Sequence, residues 1–137
     1  MKSILFIAAV FFFASCSKER EDNNIVICGR FNDSTVYKGK FERSSIAGVQ
    51  SAAVELKFKD NTFVGTSAMS MFPAIGSGTF TTSASSINFK NQNMWTANFD
   101  WSLILDGSFD ARVNGDSLIL TKFRGYDFVD IYSLKRK

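Results

Sequence analysis

The stretch DGSFDARVNGDSLILTK, residues 106–122, decides the fold class. Phe109, Ala111 and Val113 alternate with Asp110, Arg112 and Asn114, so one face is apolar and the other polar, the period of a half-buried strand. Asn114-Gly115 separates this run from residues 116–122, where Leu118 and Leu120 repeat the alternation. Asn-Gly and Asp-Gly are the dipeptides best able to place two residues at positive φ, as two-residue hairpin turns require. Asp106-Gly107 is therefore expected to join this pair to another strand over residues 100–105.

The same pattern extends towards both ends. Tyr37, Gly39 and Phe41 alternate with Lys38, Lys40 and Glu42, and Val54, Leu56 and Phe58 with Glu55, Lys57 and Lys59. Asp60-Asn61 leads into a strand over residues 62–66, and residues 75–82, 87–90 and 127–135 complete the series. No stretch shows a capped helical period. About eight or nine short strands in one domain, residues 35–137, indicate an all-β chain. An up-and-down meander removes open edges by pairing first strand with last, so a ladder is expected between residues 36–43 and 128–135. Hairpin order without a long crossover favours a single antiparallel barrel over a Greek-key sandwich. By alternation its inward side chains are Phe41, Val54, Leu56, Phe58, Phe63, Phe80, Ile87, Phe89, Trp101, Leu103, Leu105, Phe109, Ala111, Val113, Leu118 and Leu120. Such large residues either fill a small barrel or leave room for one small ligand.

Residues 1–15 read as a secretion signal: Lys2 is positive, residues 4–13 form an apolar run too short to span a bilayer, and small residues lead to Cys16. The run and the sequence FASC at 13–16 resemble a bacterial lipoprotein signal and its lipobox. The resemblance implies cleavage before Cys16, acylation of that cysteine, and a membrane partner held through its lipid chains. Ser17, where an aspartate would mean inner-membrane retention, implies the outer membrane. The charged residues 18–22 resemble a surface-export signal and equally suit a solvated tether, expected over residues 16–34. The anchored domain then faces either the periplasm or the outside. Once Cys16 is acylated, Cys28 has no intramolecular partner and is either a small buried hydrophobe or a reactive thiol.

Composition narrows the function. Of 137 residues none is histidine, which excludes Ser-His-Asp and Cys-His catalysis and imidazole metal sites. No calcium loop, zinc cluster or glycine-rich phosphate motif occurs, so neither metal nor cofactor is expected. Most aspartates, Asp100 and Asp106 among them, sit where turn chemistry explains them. Asp130 is the exception: it shares a parity with Phe128, Tyr132 and Leu134. If that face points inward, Asp130 needs a partner such as Arg43, and the pair braces the barrel or orients a polar ligand group. If Val129 and Ile131 point inward instead, Asp130 is solvated. The mature charge, about +2 without Lys2 and unclustered, argues against nucleic acid. Two connections, residues 68–75 and 93–99, are apolar where loops should be polar, and either form a binding mouth or cap the core.

The sequences VYKGKF at 36–41, DSLILT at 116–121 and IYSLKR at 131–136 resemble the small lipocalin-like lipoproteins of Gram-negative bacteria. The resemblance implies a lipocalin-like barrel. Phe41 stands where that family has a Trp in Gly-x-Trp, and Arg136 is implied as the basic residue covering it. The function expected is non-catalytic binding of a small apolar or amphipathic ligand, with Met69, Met71, Phe72, Trp95, Trp101, Asp130 and Arg43 as contact residues. The alternative is a filled barrel that engages a protein or glycan as an inhibitor or accessory subunit.

Overall fold

The computed structural model describes Phe31, residues 34–96 and residues 98–137; the signal, Cys16 and Cys28 lie outside these. Eight antiparallel strands close into an up-and-down barrel: β1 Thr35–Ser45, β2 Gly48–Lys59, β3 Thr62–Ser67, β4 Gly76–Thr82, β5 Ser86–Asn91, β6 Gly107–Asn114, β7 Ser117–Arg124 and β8 Phe128–Arg136. Each strand pairs with its sequence neighbour, and β1 closes on β8 from Tyr37 opposite Arg136 to Ser44 opposite Val129, the ladder expected from edge avoidance.

Turn chemistry fixes the register where the loops are short. Asp60 and Asn61 take φ of 47° and 63°, which closes β2 on β3 with Lys59 opposite Thr62. Asn114 pairs with Ser117, so the β6–β7 turn is built on Gly115 and Asp116, one residue later than Asn114-Gly115 suggested. Asp106-Gly107 is not a hairpin turn. Residues 100–105 form no strand; Trp101–Leu103 make a 3₁₀ turn, its first N–H groups capped by the Asp100 carboxylate accepting from Ser102 N–H at 2.9 Å.

Alternation is obeyed around the barrel. Inward residues Phe41, Leu56, Phe58, Ile87, Phe89, Phe109, Leu118, Leu120 and Tyr132 are buried, and their rings meet at centroid distances such as 4.8 Å for Phe41–Tyr132 and 5.1 Å for Phe63–Phe89. Leu56, Phe58, Ile87, Leu118 and Leu120 expose no surface at all, so no water-sized void touches them. Side chains fill the barrel at these positions. Burial of each such side chain contributes about 1.5–3 kcal/mol. Two inward assignments fail because the 3₁₀ turn breaks the period: Trp101 is 57% exposed, and Leu103 only leans on the core. Gly39 leaves no room for a side chain against β8, since an added Cβ would overlap the Ser133 carbonyl oxygen.

The two ends differ. One carries the short β2–β3, β4–β5 and β6–β7 turns; Phe31, which falls within the expected tether, is buried there against Phe58 at 4.7 Å and Phe80 at 5.7 Å. Arg136 is exposed at this end opposite Tyr37, whereas Phe41 lies four residues along, opposite Tyr132. The expected basic cover over Phe41 is therefore absent, because strand register carries Arg136 past it. At the other end lie both long connections, residues 68–75 and 92–106, with the β1–β2 and β7–β8 turns.

Candidate functional site

The loop end is closed by charge. Arg43 near the end of β1 and Asp130 near the start of β8 are direct cross-strand partners, and Lys122 of β7 faces Asp130 from the other side. Asp130, Tyr132 and Leu134 are the inward face of β8, which sets aside the arrangement with Val129 and Ile131 inside. Arg43 donates from Nε to Asp130 Oδ1 at 2.6 Å and from Nη2 to Oδ2 at 2.8 Å, with Arg124 Nε adding a third bond to Oδ2 at 2.9 Å. A bidentate guanidinium and a second arginine satisfy a carboxylate that is 1% exposed, the condition under which a buried charge is tolerable.

Arg43 also reaches into the β5–β6 connection. Its Nη1 donates to Ser102 Oγ at 2.8 Å and to Asp100 Oδ2 at 3.0 Å, and Nη2 donates to the Ser102 carbonyl at 3.0 Å. Burial opposes the Arg43 charge, but Asp130 and Asp100 outweigh it and raise its pKa. Ser102, with Arg43 beyond it, holds the Asp100 carboxyl below its ordinary value. The 3₁₀ turn is thus pinned across the mouth, with Ala74 N–H and Leu105 N–H bonding across to Leu103 and Ala74 carbonyls at 3.1 and 2.9 Å.

Outside this plug lies a cleft of about 380 Å³, lined by Asn91, Asn93, Trp95, Trp101, Ile104, Asp106, Lys122 and Arg124. Asn91 is its hinge pin: the amide donates to the Ile75 and Leu105 carbonyls at 2.6 and 3.3 Å and accepts from Trp95 Nε1 at 3.1 Å. An aromatic row follows, Trp95 to Phe99 at 5.7 Å and Phe99 stacked on Trp101 at 6.1 Å. Lys122 lies over the Phe109 ring at 4.9 Å and donates to the Asp106 carbonyl at 2.5 Å. Its pKa is lowered, first by burial and then by Arg124.

Of the residues expected to touch a ligand, the structure brings Trp95 and Trp101 to this cleft and places Arg43 and Asp130 beneath it, buried. Met69, Met71 and Phe72 share the same end but not the cleft; Phe72 turns in against Phe41 at 5.3 Å, while Met69 and Met71 are exposed. Lys122, Arg124 and Asp106 were missed. The first two share the inward parity of Leu118 and Leu120, so alternation already placed two cations at the mouth. Among the described residues no group of three or more acidic or cysteine side chains gathers to hold a metal ion. Comparison with family models, curated proteins and solved structures returns no match for the chain.

Proposed function

We propose that this chain is a non-catalytic binding module that meets its partner at the loop end of a filled barrel, held to the outer membrane through an acylated Cys16. One observation carries the reading. Of the eleven large apolar side chains exposed among the described residues, nine stand at the loop end, Ile46, Met94, Trp101, Phe123 and Tyr126 among them, while Leu56, Phe58, Ile87, Leu118 and Leu120 inside the barrel are fully buried. Exposed apolar side chains gathered on one face mark recognition surfaces rather than random exposure. Full burial of these inward side chains favours this over a lipocalin-like interior site for an apolar ligand.

The test has two arms. Native mass spectrometry of the secreted domain is expected to show no stoichiometric lipid, and a full complement of bound lipid would refute the reading. Oxidative footprinting of the anchored protein on cells, compared with the purified chain, is expected to show protection at Trp101, Phe123 and Tyr126. Equal labelling in both settings would refute a loop-end partner.

A further inference from the structure

We infer that the mouth cleft takes an acidic sugar residue, a hexuronate-type ring whose carboxylate meets Lys122 and Arg124 while its apolar face lies on Trp101. This rests on the loop end being the binding face. Lys122 and Arg124 stand two residues apart on one face of β7, roughly 6.6 Å along the strand, so both head groups come from the same wall. Arg124 is bonded to Asp130 and, at 3.3 Å, to the Ile104 carbonyl, and Lys122 to the Asp106 carbonyl, yet both side chains still line the cleft. Burial, and after it the neighbouring Arg124, disfavour the charge of Lys122, and a bound carboxylate offsets both. An anion alone would not need the remaining walls.

Those walls suit a polyol. The C–H bonds of a pyranose face are attracted to the electron-rich face of an indole, and Trp101 is exposed to receive one. Asp106 uses Oδ1 to accept from Asn91 N–H at 2.9 Å, which leaves its second oxygen for a hydroxyl. Asn93 uses Oδ1 to accept from Ser77 N–H and Oγ at 2.8 and 2.9 Å, which leaves its amide N–H groups as donors. A cleft of about 380 Å³ is at the small end of the range for ligand sites, as a sugar unit requires.

A soluble form without the lipid-bearing cysteine, residues 17–137, holds both tryptophans of the sequence in the cleft lining, so its emission reports the site directly. It is titrated with glucuronate, with glucose as the neutral counterpart and with acetate as the bare carboxylate, and binding is checked by ligand-observed NMR. Glucuronate is expected to saturate at millimolar concentration or below, glucose to bind at least about tenfold more weakly, the usual loss of a charge-assisted contact, and acetate to give no response. Lys122→Gln is expected to weaken glucuronate about tenfold, and Trp101→Ala, an exposed position that folding does not depend on, to abolish it. Equal binding of glucose overturns the acidic assignment, equal binding of acetate overturns the sugar, and silence from all three overturns both. Each of these results leaves loop-end recognition standing if footprinting still shows protection there.

Discussion

Asp130→Asn removes one negative charge from a carboxylate that accepts three N–H donors from two arginines, at 2.6, 2.8 and 2.9 Å. The amide keeps the shape but offers one oxygen, and its own NH₂ meets a guanidinium donor, so Arg43 is left buried with only the exposed Asp100 carboxylate as a counter-charge. Breaking a buried pair in this way costs about 3–5 kcal/mol, a third or more of the stability of a typical domain. Arg43→Met should cost a similar amount for a different reason. Asp130 keeps Arg124, but the three bonds that hold the 3₁₀ turn and Asp100 across the mouth are lost. The double variant should then cost less than the two singles together by about 1.5–3 kcal/mol, because the second change no longer strands a charge. Urea unfolding at pH 7 of the four proteins measures this directly. A single-variant cost under 1 kcal/mol for Asp130→Asn, or a coupling under about 0.5 kcal/mol, would refute the mutual dependence argued for the plug.

Three further outcomes follow from the core and the closure. Phe31→Ala empties a ring site packed on Phe58 and Phe80 and should cost about 3–5 kcal/mol in the same unfolding assay, despite lying outside every strand. Gly39→Ala drives a methyl into the Ser133 carbonyl and should lose about 1–3 kcal/mol or more, with early amide exchange along the β1–β8 ladder and not elsewhere. Burial, with Asp130 adding, raises the Tyr132 phenol above its ordinary value, so its contribution is fully present below about pH 10 and is lost as pH rises further, by up to about 1.4 kcal/mol per pH unit. Tyr132→Phe should flatten that alkaline loss, measured by melts between pH 9 and 11.5, and parallel curves for the two proteins would contradict it.

The barrel was legible because two local signals agree along most of its length. Strict alternation placed Val54, Leu56 and Phe58 on one side and Glu55 and Lys57 on the other, and Asp60-Asn61 turned the chain at the right position. Closure followed from the cost of open edges, and Asp130 pointed to Arg43 because a buried carboxylate demands a cation. Residues 100–105 were misread for an equally physical reason. Trp101, Leu103 and Leu105 keep the parity of a strand, but Asp100 caps a 3₁₀ turn and Arg43, distant in sequence, fastens it over the barrel mouth. The cleft was half visible. In the sequence Trp95 stands in an apolar connection and Trp101 on an expected strand, whereas Lys122 and Arg124 read as unclustered strand charges, since parity alone does not say where along a strand the core ends.

Phe31 seated under the short turns has a practical corollary. The first described residues and the last turn of chain, at Arg136 opposite Tyr37, emerge side by side at the pole away from the cleft. A surface-plate linker or a fused reporter joined after Lys137 leaves from that pole, away from the mouth. The architecture is thus a ready-made display mount, and immobilising it through its C-terminal end should turn the mouth of every copy outward.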